Sequence, residues 1–366
     1  MGITFVINFL VVFRGLSGGI EKFCNIAMPL MALCAVCVLV RVLTLGTPNP
    51  DLPDQNVLNG LGKMWNPPEN VSETLMNPKA WLAAAGQIFF TLSVGFGVII
   101  HYASYVKPKD DIALSGITAS AVNEFFEVCL GGLITITAAF IFLGANIATY
   151  TSSSFSLGFN ALPNVFASMP GGQFFGFVWF FMLFLAAITS SLSMLQPVNA
   201  FFKESLGISQ SKSISILLII TVVGTGYIIY FTEKLRALDA IDFWAGEFFI
   251  VVLAIIQAVF YGWVMGVTNG KAELDEGAQL KVPGFVQFVL KYITPLFLIV
   301  LLVANFIPLE KGKPSNVMQR INDATSDGAV GGAVAIVIGS IVLCMIIAHF
   351  GEKRWKAHGR YNESQS

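Results

Sequence analysis

The sequence predicts an all-α fold: a polytopic bundle of helices crossing a membrane about nine times. Three observations carry this. Hydrophobic residues fill 55% of the 366 positions and charged residues only 12%, roughly half the charged share of an ordinary soluble domain. The mean hydropathy is +0.74. Stretches 80–106, 128–202, 213–232, 248–270 and 329–351 contain no Asp, Glu, Lys or Arg. A helix on a soluble surface needs a polar face, whereas one crossing hydrocarbon needs roughly 20 mostly apolar residues.

Taken in order, the expected helices lie near 2–14, 20–44, 80–106, 112–146, 173–205, 213–232, 239–268, 284–307 and 327–352. The first is short for a span. Residues 46–79 hold Pro48, Pro50, Pro53 and Pro67-Pro68 and read as an extracellular loop. Residues 147–172 are rich in Ser, Asn and Gly yet uncharged, which suggests an extracellular loop folded back like a lid. Basic residues set the orientation. Twelve, from Arg14 and Lys22 to Lys353 and Arg360, fall on the side of the 14–22 turn, and eight on the other. That places the 353–366 tail in the cytoplasm and the amino terminus outside, with residues 1–366 as one transmembrane domain.

Composition also excludes. The net charge of −1 offers nothing to nucleic acid. Cys34 and Cys37 form a C-x-x-C inside an apparent membrane helix without a second pair, so they read as small hydrophobes. The start lacks a basic n-region and a small-residue cleavage site, so it is not read as a signal peptide.

Polar residues within spans are costly and usually functional. Gln87–Gly97 places Thr91 and Ser93 between Phe90 and Phe96, with Gly95 and Gly97 weakening the helix. A break there frees backbone groups to line a cavity, and the same pattern suits a glycine-rich packing surface. Ala186, Thr189 and Ser190 share one helical face. Their oxygens suit a hard cation, or hydrogen bonding between helices. Asn123 and Glu127 lie four apart and face the same way, so Glu127 lines a polar interior. Asp242 and Glu247 lie near the outer end of another span, where interfacial anchoring is the plain alternative. His101 stands alone and reads as a satisfied polar lining, with a proton relay as the alternative. No nucleophile–base pair is visible, so an enzyme is not expected.

These motifs carry a resemblance. GQIFFTLSVGFGVIIHYASYV at 86–106 resembles the broken sixth helix of the neurotransmitter:sodium symporter family. Asn123-Glu-Phe-Phe-Glu127 resembles its seventh helix, Ala186–Ser193 with Gln196-Pro197 its eighth, and Asp242-Phe-Trp-Ala-Gly246 its tenth. Gly19 and Pro29 match a motif of its fifth. The similarity runs along essentially the whole chain and is greatest to bacterial sodium-dependent amino-acid transporters.

The resemblance implies an inverted-repeat, five-plus-five transporter fold, incomplete because the chain starts at what resembles helix four, with a discontinuous helix near 80–106. It implies Na⁺ bound by Thr91 and Asn123, and a second Na⁺ bound by the Ala186 carbonyl with the Thr189 and Ser190 hydroxyls. Phe90, Ser93, Phe96, Ser191 and Met194 would line the substrate pocket. Gln87 and Asp242 would belong to an outer gate, Tyr105 and Glu204 to an inner one. The Glu127 carboxylate would replace chloride, which is then not required. The implied activity is sodium-coupled symport of an amino acid by alternating access, in the plasma or inner membrane, with a homodimer as one form. A non-transporting membrane fragment or scaffold, and a channel-like pore, are the alternatives.

Overall fold

The structure, a computed structural model, describes residues 2–68, 70–107, 109–144, 147, 157–231, 235–308 and 313–357. All regular structure among them is helical. In chain order the helices are α1 (Gly2–Phe13), α2 (Leu16–Leu43), α3 (Val57–Trp65), α4 (Val71–Leu75), α5 (Pro78–Thr91), α6 (Val98–Ala103) and α7 (Ile112–Leu143). They continue as α8 (Leu162–Ser168), α9 (Gly172–Leu206), α10 (Gln210–Tyr230), α11 (Arg236–Asp275), α12 (Gly284–Ala304), α13 (Asn316–Ser326) and α14 (Gly328–Ala357).

Seven of these, α2, α7, α9, α10, α11, α12 and α14, are long and apolar enough to cross a membrane. They occupy seven of the nine segments expected from the sequence. The other two are α1, apolar but only 12 residues long, and the interrupted pair α5 and α6. Between 17% and 33% of each spanning window is buried within the protein. The exposed remainder is apolar, as with Ile219 and Val223 on α10 and Leu296 on α12. Water does not solvate such surfaces favourably; lipid does. The protein is a multi-pass membrane protein.

Two compact units divide the chain, and the divide falls inside the continuous helices α7 and α9. The first comprises Met1–Thr4, Arg14–Pro78 and Ile117–Leu192. Its core joins Val38 and Val42 of α2, Ile134 and Ala138 of α7, Leu162 and Val165 of α8, and Trp179 of α9. The second comprises Phe5–Phe13, Lys79–Gly116 and Ser193–Ser366. There Phe202 of α9, Leu217 of α10 and Ile347 of α14 form one cluster, with Phe9 of α1 against it. Ala237 and Ala240 of α11 meet Val330 and Ala333 of α14 in another.

Two segments read as loops contain helices. Within 46–79, Asn56 caps α3 by accepting from the Asn59 N–H at 2.8 Å, and α3 packs along the end of α7. Proline content hid this because the prolines flank α3 without entering it. Within 147–172, residues 157–168 are helical and Leu162, Val165, Phe166 and Met169 are buried. The absence of charge there reflects a helix sealed into the core. Residues 148–156 of the expected lid and 358–366 of the expected tail lie outside the described residues.

Candidate functional site

The break between α5 and α6 is built by three residues in left-handed conformation: Ser93 (φ 55°), Gly95 (φ 84°) and Gly97 (φ 76°). Left-handed backbone costs an L-residue roughly 1–2 kcal/mol and costs glycine little. The chain therefore leaves the helix after Thr91 and re-enters at Val98, with the Ser93 N–H reaching Phe90 O (3.1 Å) and the Val94 N–H reaching Phe89 O (3.0 Å). A β-carbon on Gly95 would stand 3.1 Å from Ile250 O and 3.2 Å from its Cα, so the break presses on the α11 backbone. Helix ends leave carbonyls and amides without intrahelical partners, which makes the gap a polar point within an apolar run.

Phe90, Thr91, Ser93 and Phe96 lie at this gap. Phe90 and Phe96 meet edge to face across it, their centroids 5.8 Å apart. Thr91 Oγ1 donates to Ile88 O at 3.4 Å, and Ser93 is half-buried. Gln87 is exposed one turn earlier. On α6, Tyr102 donates its hydroxyl to Ser193 Oγ on α9 at 3.0 Å, a contact that sequence reasoning missed because residues 91 apart carry no local signal. His101 meets Tyr105 edge to face, their ring centroids 5.3 Å apart.

On the α9 portion of the first unit, Thr189 Oγ1 donates to Leu185 O (3.1 Å) and Ala186 O (3.0 Å). The hydroxyl proton is thus spent within the helix. Its lone pairs and the Ala186 carbonyl form a patch of hard oxygen donors beside Ser190, which is exposed. Such a set fits a monovalent hard cation. Ser191 is half-buried in the same unit, and Met194, in the second, is 39% exposed.

Asn123 and Glu127, both half-buried, straddle the start of a π-helical stretch, Phe125–Gly132. A second such stretch, Asp242–Phe248, holds Asp242 and Glu247. Hydrogen bonds from i to i+5 widen the turn, a feature frequent at functional sites, and stack residues five apart. Asp242 and Glu247 therefore share a face, and Asp242 Oδ1 lies 2.8 Å from the place of a β-carbon on Gly246. The Arg320 guanidinium of α13 covers the Phe243 ring at 4.8 Å and is in electrostatic reach of both acids. Sequence reasoning gave Arg320 no role beyond orientation. Tyr105 and Glu204, expected as one gate, line the same cavity of about 410 Å³ in the second unit.

Comparison with known proteins identifies relatives of the whole chain. The family model described as the Sodium:neurotransmitter symporter family matches residues 1–350. An uncharacterized sodium-dependent transporter of Methanocaldococcus jannaschii is 25% identical over 297 residues, 79% of this chain and 57% of that protein. The sodium-dependent nutrient amino acid transporter 1 of Drosophila melanogaster is 26% identical over 326 residues, 86% of this chain and 48% of that protein. The crystal structure of MhsT in complex with L-phenylalanine superposes with a TM-score of 0.68 at 25% identity, covering 82% of this chain and 66% of that one. The chain thus spans between about half and two thirds of the length of these relatives.

Proposed function

The chain belongs to the Sodium:neurotransmitter symporter family, and we propose from that premise that it carries out sodium-coupled symport of an amino acid by alternating access. The observation that supports this best is the interrupted helix: left-handed Ser93, Gly95 and Gly97 set Thr91 and Ser93 beside the Phe90–Phe96 ring pair. Transporters with inverted repeats use such half-helix ends at the bilayer midplane to hold ions and solute.

In this reading Thr91, Asn123, Ala186, Thr189 and Ser190 offer oxygens to Na⁺. Phe90, Ser93, Phe96, Ser191 and Met194 contact the substrate, and the aromatic rings favour an apolar side chain. Gln87 and Asp242 gate one end, Tyr105 and Glu204 the other. Glu127 supplies a fixed negative charge, so transport does not require chloride. Na⁺ and substrate each raise the affinity for the other by the same factor. The chain acts as one transmembrane domain, with 46–79 and 147–172 outside the cell. Lys353, Arg354 and Lys356 hold the carboxyl end in the cytoplasm of a plasma or inner membrane, and two copies form a homodimer.

Uptake of radiolabelled L-phenylalanine or L-leucine into proteoliposomes tests this. Saturable uptake with Na⁺ outside, abolished by K⁺ and unchanged when gluconate replaces chloride, is expected. Equal uptake in K⁺ would sink sodium coupling. A second reading is a non-transporting membrane component or scaffold. Sodium-dependent binding with no uptake would establish it.

A further inference from the structure

Lys291 is the only charged residue between Lys281 and Glu310, and it falls within the membrane-crossing helix α12. Residues 248–270 of α11, which include the turns facing it, carry no charge. Among the described residues no ion pair joins Lys291 to a carboxylate. A cation in such a place is costly unless something neutralises it, and an ionisable residue kept within a span points to function. Its surroundings are aromatic. The ammonium lies 5.7 Å from the centroid of the Trp263 ring of α11 and 5.4 Å from that of Tyr292. Those two rings meet edge to face at 5.8 Å. Ring faces attract a cation but carry no net charge, so they hold the positive charge in place without cancelling it.

The backbones fix this arrangement. Both helices are π-helical at this level, over Phe260–Gly266 and Val289–Ile293. A β-carbon on Gly262 would stand 3.2 Å from Lys291 Cα, so glycine lets the two chains close up. The Trp263 indole N–H donates to Lys291 O at 3.0 Å, and the Tyr261 hydroxyl donates to Gln287 Oε1 at 2.9 Å. The level along the span follows from Gly266 (φ +82°), beyond which Val267–Asp275 is polar. Trp263 is thus within one turn of the end of the apolar run, where Trp, Tyr and Lys meet lipid headgroups. Trp263 is 60% exposed and Tyr292 44%. Tyr292, Leu296 and Val300 form one exposed face that leads along α12 into the apolar run.

We propose that the cluster of Lys291, Trp263 and Tyr292 is a binding site for an anionic phospholipid. The lipid phosphate pairs with the Lys291 ammonium, the glycerol region rests on the two rings, and an acyl chain follows Leu296 and Val300. Basic pockets between membrane helices bind anionic headgroups in this way. A zwitterionic lipid brings its own ammonium to the site and gains less from Lys291. A free phosphate lacks the acyl chain and does not compete.

The test is quenching of tryptophan fluorescence in the full chain reconstituted in dibromophosphatidylcholine, with the Trp263 signal taken as the difference from Trp263→Phe. Bromine quenches rings that touch the brominated lipid, and that quenching also reports whether each variant is folded in the bilayer. Unbrominated phosphatidylglycerol should relieve the quenching of Trp263 at a lipid fraction at least threefold lower than unbrominated phosphatidylcholine does. Lys291→Gln should abolish that preference, and Lys291→Arg should keep it. Lys63→Gln on α3, an equal loss of charge elsewhere, should keep it too. Equal relief by the two lipids in the unaltered chain, a preference that survives in Lys291→Gln or disappears in Lys63→Gln, or one erased by millimolar inorganic phosphate would overturn the proposal. Neither Na⁺ nor an amino acid is present, so this result is separate from that of the uptake experiment.

Discussion

The centres of the α5–α6 pair and of α9 both lack charge and carry hydroxyls, yet one breaks and the other runs unbroken for 35 residues. In α9, Thr189 returns its hydroxyl to carbonyls three and four residues back, and even Pro197 is absorbed within the helix. Between Phe177 and Leu206 it contains no glycine. The α5–α6 segment has Gly95 and Gly97 at positive φ, with Gly95 against the α11 backbone. Hydroxyls alone leave a helix intact; the break needs residues that accept left-handed backbone and a neighbour that holds them there.

The largest effect should therefore come from Gly95→Ala. It adds left-handed strain and a collision with Ile250, together about 2–4 kcal/mol of destabilisation. Gly97 has the same sign of φ but open space around it, so Gly97→Ala should cost about 1–2 kcal/mol. Thermal unfolding in detergent measures both, and equal losses would mean that the α11 contact does not define the break. Next is Thr189→Ala. Losing one oxygen donor to an ion, about 1.5–3 kcal/mol, should raise the Na⁺ concentration for half-maximal uptake about tenfold or more while leaving α9 helical. An unchanged Na⁺ dependence would remove Thr189 from the ion set.

Tyr102→Phe should cost about 1 kcal/mol, and combining it with Ser193→Ala should add nothing if their hydrogen bond is the whole effect. Additive losses would assign the two residues separate roles. The smallest effect lies outside the spans. Asp111 accepts from the Leu114 N–H (2.8 Å) and the Gln279 N–H (2.7 Å). Those bonds, Gln279 foremost, hold its carboxyl below the usual carboxylate range. A depressed value means that its contribution is present above the unfolded carboxylate range and is lost as pH falls through the folded one. Asp111→Asn should flatten the acid limb of Tm against pH; an unchanged slope would show that these bonds carry no linked stability.

Much of the fold was legible because lipid imposes a coarse rule that composition reveals. Long apolar, charge-poor runs located the seven long helices, and Gly95 with Gly97 marked the break. Helix α3 was not legible, because its stability comes from the Asn56 cap and from packing on α7, not from a long periodic pattern. The π-helical stretches at Phe125–Gly132 and Asp242–Phe248 were equally silent: their widened turns depend on neighbours, and Phe125–Gly132 contains nothing that forbids an ordinary helix. At the site, residue types foretold the hydroxyls and acids. Arg320 over Phe243 and Tyr102 on Ser193 join residues 77 and 91 positions apart.

By itself the sequence determined that this chain is a bundle of membrane-crossing helices interrupted near residue 95, since burial in hydrocarbon and left-handed backbone are demands met residue by residue. The tertiary structure alone decided what these groups face: Gly95 against Ile250, and the acids of α11 beside Arg320. Those outcomes are set by contacts between helices distant along the chain, and the local free energy of one segment does not contain them.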